Sequence, residues 1–94
     1  MMGKDPTKLE EALGCLQENR VADAAALVEE VLRADPESPG AHHLAGLVDL
    51  GRGRAESALG HFEKAVAGAP DNVDFRLNMG VALDNLGRGD EATV

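Results

Sequence analysis

Aromatic residues are scarce in this chain of 94 residues: Trp and Tyr are absent, and the two phenylalanines are Phe62 and Phe75. A core without large rings is built mainly from Ala, Leu and Val, which fill space only when backbones approach closely. The scarcity of β-branched and aromatic residues beside abundant Ala, Leu and Glu argues against a β-sandwich. We therefore expect helices that cross at small residues.

Basic residues are also few, with 9 Lys and Arg against 17 Asp and Glu and a formal net charge of -8. A surface that binds phosphate groups needs concentrated positive charge, so we expect neither nucleic acid nor a membrane as partner. The balance fits a neutral or basic partner instead.

Cysteine and long apolar runs are lacking as well. Cys15 is the single cysteine, which excludes an intrachain disulfide framework and a multi-cysteine zinc site. No stretch has the length and apolar character of a signal sequence or a membrane span. The default prediction is a cytoplasmic protein.

What the sequence does contain is a period of 34 residues. Pro36 and Pro70 are separated by this distance, and further sets of residues keep it without an insertion. These sets are Ala24, Ala58 and Ala92; Arg20, Arg54 and Arg88; Ala12, Gly46 and Gly80; and Asn19, Gly53 and Gly87. A fixed period between about 20 and 50 residues indicates a stacked array.

The apolar spacing predicts two helices in each unit. In the middle unit Ala58, Phe62 and Ala65 follow one another at four and three residues, which places them on one helix face. Pro36 and Pro70 end the second helices, because proline cannot continue the hydrogen-bond ladder. The predicted helices span 7–18, 21–34, 40–51, 55–68 and 73–86, and a sixth begins at 89.

This pattern resembles the tetratricopeptide repeat family, in which small residues lie at helix contacts and a proline ends each unit. The matching residues are Gly46, Ala58, Phe62, Ala65, Pro70, Gly80 and Ala92. The resemblance implies an all-α, right-handed α-solenoid of antiparallel helix pairs, with about 2.6 units. It divides a single domain, 1–94, into repeats at 5–38, 39–72 and 73–94, the last of them truncated.

The first helices depart from the family pattern at two positions that usually carry large apolar residues. Those positions hold Lys8 and Cys15, His42 and Asp49, and Arg76 and Leu83. The sequence therefore predicts the packing of the second helices better than that of the first.

The resemblance also implies a concave groove lined by the first helices. The residues at its groove positions are Leu9, Leu13, Leu16, Leu44, Leu47, Leu77, Asn78 and Val81. One interpretation makes the leucines core residues of slightly rotated helices. A second makes them a groove for an apolar or amphipathic peptide, and a third makes them a surface for self-association.

One binding mode of the family is excluded by the residues at the matching positions. Chaperone-binding members hold a C-terminal carboxylate with Lys, Arg and Asn side chains. The positions here hold Leu9, Leu13, Leu44, Asp74 and Asn78. Without a cation, and with a carboxylate at one position, we expect a chaperone tail to be repelled.

Residues suited to metal binding or catalysis are present but poorly arranged. His42 and His43 are adjacent, so on a helix they point about 100° apart. Asp49 lies two turns beyond His42, about 10 Å along the helix axis, and His61 is on another helix. Cys15 is at a usually buried position, where a thiol is unreactive. We therefore expect no catalytic residue, no metal site and no cofactor.

The function that the resemblance implies is a non-catalytic protein–protein interaction scaffold. A self-assembly module and the substrate-recruiting region of a larger enzyme, such as a glycosyltransferase, remain as alternatives. The sequence ends about six residues into the sixth helix, too few for an isolated helix. We therefore expect Met79, Leu83 and Leu86 to be largely uncovered and the chain to form a homodimer through this open C-terminal edge.

The repeat pattern predicts the effect of two core substitutions. Truncating Phe62 to Ala should lower the free energy of unfolding by about 3–5 kcal/mol by leaving a cavity. Enlarging Ala58 to Leu should cost about 1–3 kcal/mol by overpacking the helix contact. Thermal and urea unfolding measure both, and wild-type stability in either variant would mean that this helix faces the other way.

Overall fold

A computed structural model describes residues 7–87, and this part of the chain folds into five α-helices without a strand. They are α1 (Lys8–Gln17), α2 (Val21–Ala34), α3 (Pro39–Gly51), α4 (Ala55–Gly68) and α5 (Val73–Asn85). Each end lies within one residue of its predicted position, which confirms the five spans. The predicted sixth helix and Ala92 lie outside the described residues.

Side-chain hydrogen bonds cap the N-termini of α1, α3 and α5, which are the first helices of the three repeats. The N–H of Glu10 donates to the Thr7 hydroxyl at 3.1 Å, and the Glu10 carboxylate accepts from the N–H of Thr7 at 2.9 Å. Ser38 and Asn72 cap α3 and α5 through their side-chain oxygens. These bonds satisfy donors that the first turn of a helix leaves free, so the starts of α1, α3 and α5 follow from local sequence.

The turns that end the first helices repeat one backbone conformation. Asn19, Gly53 and Gly87 have φ angles of 64°, 74° and 73°, in the left-handed region that Gly and Asn tolerate best. After Gly53, the N–H of Arg54 returns to the carbonyl of Asp49 at 2.8 Å. The chain therefore reverses within a few residues, and consecutive helices pack as pairs.

The helices form two layers. The first helices meet in the order α1, α3, α5, whereas α2 and α4 pack beneath them without contacting each other. The contact between α2 and α3 joins the first pair to the second, and the contact between α4 and α5 extends the stack. This arrangement confirms an all-α solenoid of helix pairs, while its right-handed sense stays a prediction from the resemblance.

Buried side chains form a cluster in each half of the stack. The first cluster consists of Ala12, Cys15, Ala24, Val28, Leu44, Ala45 and Val48. The second consists of Ala58, Leu59, Phe62, Ala82 and Leu83. Leu47 packs against both, so the two clusters make a continuous interior.

The sequence-based expectation that Met79, Leu83 and Leu86 are largely uncovered is wrong. The Leu83 side chain is 7% exposed and lies in the second cluster with Phe62, while Met79 and Leu86 are half-buried. The reason is that α4, together with part of α3, covers the inner side of α5. The large apolar residues left exposed on α5 are on its other side: Val73, Leu77 and Val81.

The closest helix contact is made by Phe62 against the bare backbone of Gly46. A Cβ atom on Gly46 would lie 2.7 Å from both Cδ1 and Cζ of the Phe62 ring. Phe62 is 0% exposed, so its ring has no free space to move into. A residue without a side chain is therefore required at position 46 for α3 and α4 to approach this closely.

We predict that Gly46→Ala destabilises the protein although Ala is the better helix former. Helix propensity favours Ala by about 1 kcal/mol, but the clash with Phe62 should cost about 1–3 kcal/mol, so the net change should be a loss of up to about 2 kcal/mol. Urea unfolding followed by circular dichroism measures the difference.

Gly60→Ala is the matched control for this substitution. Gly60 lies inside α4, and a Cβ atom there meets nothing within 4 Å. Its substitution should stabilise the protein by up to about 1 kcal/mol. Equal effects of the two substitutions would show that Phe62 does not constrain position 46.

Candidate binding groove

The layer of α1, α3 and α5 has one surface that faces away from α2 and α4. The predicted groove residues differ in how far they are exposed there. Leu13, Leu77 and Val81 are exposed, with 42%, 63% and 44% of their surface accessible. Leu44 is only 5% exposed and belongs to the first core cluster. The half-buried members are Leu9, Leu16, Leu47 and Asn78. Leu44 is therefore mainly a core residue, which also lines the floor of the pocket described next.

A shallow pocket of about 230 Å³ lies between α1 and α3 on this surface. Its mostly apolar lining consists of Leu9, Glu10, Leu13, Gly40, His43 and Leu44. The pocket brings together residues of α1 and α3 that are more than thirty positions apart in sequence, such as Leu9 and His43. It can receive a small apolar side chain of a partner.

His43 connects the groove to the contact between α3 and α5. Its ring lies over Phe75 with centroids 4.6 Å apart, and Phe62 is the next ring at 6.0 Å. The amide Nδ2 of Asn78 donates to Nε2 of His43 at 2.8 Å, so the neutral ring carries its proton on Nδ1. Burial lowers the pKa of His43, with the Asp74 carboxylate acting in the opposite direction.

Sequence reasoning did not assign His43 to the groove. The signal was available, since position 43 lies one period after Leu9 and one period before Leu77, both of which were predicted groove residues. Leu9, His43 and Leu77 thus hold the same position in the three repeats, and the half-buried imidazole of His43 is in the middle repeat.

His61 joins two residues that the sequence placed two helical turns apart. Its Nδ1 lies 3.1 Å from Nδ1 of His42, and its Nε2 lies 3.8 Å from Oδ2 of Asp49. The same Asp49 oxygen accepts from the Ser57 hydroxyl at 2.6 Å. His42 and Asp49 are 7% and 9% exposed, and this network provides their polar partners.

The hydrogen bonds determine which nitrogens carry protons when both rings are neutral. Nε2 of His42 lies 2.8 Å from the carbonyl of Pro36 and must donate to it. Its Nδ1 is then an acceptor, so Nδ1 of His61 donates and Nε2 of His61 is bare. The network therefore holds α3, α4 and the loop at Pro36 together without a charged imidazole.

Burial is the main cause that lowers the pKa of His61. The carboxylate of Asp49 raises this pKa, whereas His42 and Lys64 lower it further. Burial prevails over the attraction of the Asp49 carboxylate, whose Oδ2 lies 3.8 Å from Nε2 of His61.

Polar contacts explain Lys8, His42 and Asp49 at the two unusual positions of the first helices, whereas Cys15 is a core residue. Lys8 reaches Glu30 on α2 at 3.0 Å, and Cys15 is buried in the first cluster. His42 and Asp49 replace an apolar contact by hydrogen bonds to α4.

Two family models described as tetratricopeptide repeat match the chain, over residues 9–48 and 49–93. The chain belongs to the tetratricopeptide repeat family. A comparison with curated proteins finds no match.

The tetratricopeptide repeat signature residues lie mainly inside the fold. Ala58, Phe62 and Ala65 are 0% exposed, and Gly46 is buried. Gly80 is half-buried, and Pro70 is exposed in the loop between α4 and α5. The signature residues therefore reflect helix packing, and the family pattern does not determine which residues line the groove.

Other kinds of site find little support in residues 7–87. None of the helices described there is long and apolar enough to cross a membrane. In the same part of the chain no group of three or more His, Cys, Asp or Glu side chains is arranged to hold a metal ion.

We predict that the protein loses stability as the pH falls from 7.5 to 5.5. The pKa values of His43 and His61 are lowered in the folded chain, whereas the unfolded chain titrates near 6.5. Below about pH 6.5 the unfolded state therefore binds more protons, so the free energy of unfolding decreases with falling pH and levels off above it. Urea unfolding at several pH values measures this slope.

His43→Gln and His61→Asn, combined, should flatten that slope. Gln keeps an acceptor near Asn78, and Asn keeps a donor near His42, so neither change removes the neutral hydrogen bond. Titration of the wild-type histidines by NMR is the direct check. A pKa above 6.5 for both His43 and His61 would contradict the prediction.

Proposed function

We propose that this chain is a non-catalytic scaffold that binds a peptide or a segment of a partner protein in the groove of α1, α3 and α5. Tetratricopeptide repeats generally mediate protein–protein interaction, and they are typically without catalytic activity. The observation that supports the groove as the site is the exposure of Leu13, Leu77 and Val81 on one layer of helices. Leu77 and Val81 are neighbours one turn apart on α5, and exposed apolar patches are typical of interaction sites.

The partner in this proposal is apolar or amphipathic. Leu13, beside the apolar pocket, and Leu77 offer contact area, while Asp74 and Asn78 add polar groups. A chaperone tail ending in a carboxylate is a poor candidate, because Asp74 occupies a position where the clamp needs a cation. The chain acts as one domain, 1–94, and a cytoplasmic location stays a prediction from the sequence.

Self-association is the second candidate, and α5 is the observation that favours it. Val73 and Leu77 are 64% and 63% exposed, and they lie one turn apart on this helix. Pairing this side of α5 with a second copy would cover both. The homodimer through the C-terminal edge is proposed on this ground.

Leu13→Ser and Leu77→Ser, singly and combined, test the groove. Each removes apolar contact area while leaving the core intact, whereas a polar residue at Leu44 or Leu47 would disturb the clusters. Proteins captured by the wild-type chain should be lost from the combined variant, with at least tenfold weaker binding expected from about 1.4 kcal/mol of lost apolar contact.

Ala67→Ser on α4 is the control, because it is an exposed apolar-to-polar change on the opposite layer. It should leave capture unchanged, and circular dichroism should show equal helicity in all variants. Light scattering of the same samples gives the mass. Loss of a dimer in Leu77→Ser with unchanged partner capture would favour self-association over the groove proposal.

A further inference from the structure

Carboxylates border the exposed apolar residues of the groove. Glu10 lines the pocket between α1 and α3, and the Asp74 carboxylate is near enough to His43 to act on its pKa. Asp84 follows Leu77 by seven residues, two turns along the same side of α5. All three acidic side chains are exposed. Both outer helices of the groove therefore present negative charge beside apolar surface.

The cations of residues 7–87 lie elsewhere. Those on or beside α2 and α4 are Arg20, Arg33, Arg52, Arg54 and Lys64. Lys8 points to α2, where it pairs with Glu30 at 3.0 Å. Arg76 lies about 160° around α5 from Asn78, the residue that meets α3. Within the described chain, the acidic groups of the groove thus have no cation beside them on that face.

We propose that the occupant of the groove is a basic amphipathic helix of a partner protein. This inference rests on the groove function proposed above and adds the chemistry of the partner. The apolar stripe of such a helix covers Leu13, Leu77 and Val81. Lys or Arg residues beside that stripe lie against Glu10 near one end of the helix and against Asp74 near the other.

A helix fits the dimensions of this surface. Three neighbouring helices at spacings of about 8–10 Å, with their own radii, present a face roughly 25–30 Å wide. A helix of about 16–20 residues spans that width at 1.5 Å per residue. Its apolar residues at intervals of three and four then meet all three helices of the layer.

Other occupants fit the charge less well. A second copy of this chain would bring its own groove carboxylates and a net charge of -8 to the contact, so a groove-to-groove pair is opposed by repulsion. A neutral apolar helix would cover the leucines but offer no positive charge to Glu10 and Asp74. A basic helix satisfies both features at once.

The charge should contribute a measurable but moderate part of the affinity. Exposed ion pairs are individually weak and are screened by salt, so the two or three pairs together should give about a tenfold effect at low ionic strength. The effect should largely disappear in about 0.5 M salt, where the screening length is only a few ångströms.

Two synthetic helices of 18 residues probe the groove. Both carry Leu at helical spacing and a fluorescent label; one has Lys at the flanking positions and the other has Gln. We expect the wild-type chain to bind the Lys peptide about tenfold more tightly than the Gln peptide. Fluorescence anisotropy at low and high salt measures both affinities.

The protein variants are Glu10→Gln combined with Asp74→Asn. Gln at position 10 still accepts from the N–H of Thr7, so the cap of α1 is kept. This variant should bind the Lys peptide about tenfold more weakly and the Gln peptide as before. Glu56→Gln combined with Glu63→Gln, two exposed carboxylates of α4, makes the same charge change on the other layer and should change neither affinity.

The outcomes separate this inference from the function on which it rests. Equal binding of the two peptides, reduced alike by Leu13→Ser, would keep the groove and overturn the basic partner. Equal weakening of the Lys peptide by the α4 variant would overturn the inference too, because the attraction would then belong to the whole acidic surface. Binding of neither peptide to the wild-type chain would overturn the groove function and the inference together.

Discussion

The approach of Phe62 to Gly46 is the contact on which the rest of the described structure depends. In a chain with so few aromatic residues, this ring is the largest fully buried side chain, and it fits only because position 46 has no side chain. The ring fixes the separation of α3 and α4 and, through the second cluster, gives α5 a surface to pack on. The same packing brings the Phe62 ring close to His43. The groove thus depends on a core contact that takes no part in binding.

The network of His42, His61 and Asp49 is the second device that holds α3 to α4. Buried polar groups cost free energy unless they are hydrogen-bonded, and these residues replace the apolar pair that the family usually has. The cost is offset because every buried side-chain nitrogen or oxygen in the described residues has a partner. Hydrogen bonds are directional, so this contact specifies the register of the two helices more narrowly than leucines would. It also makes that register sensitive to protonation.

The sequence predicts the helices well and their faces less well. Pro36, Pro70 and the Asn19, Gly53 and Gly87 turns define the helix ends by local conformational rules, so the bounds agree with the structure. The sequence does not show which side of α5 faces inward, because apolar residues lie all around this helix. Leu83 and Phe75 are buried, whereas Leu77 and Val81 are exposed. The contact of His61 with both His42 and Asp49 depends on the crossing of two helices, which no periodicity within one helix contains.

His43 belongs both to the groove and to the α3–α5 contact, and this double membership links binding to stability. A ligand that covers the half-buried ring removes it further from water, which lowers its pKa further, and a cationic ligand lowers it in addition. Protonation of His43 must then oppose binding by the same factor by which binding opposes protonation. The same proton weakens the contact with Asn78, whose amide donates to the nitrogen that would be protonated. Protonation of His43 therefore acts against the α3–α5 contact and against the binding that we propose for the groove.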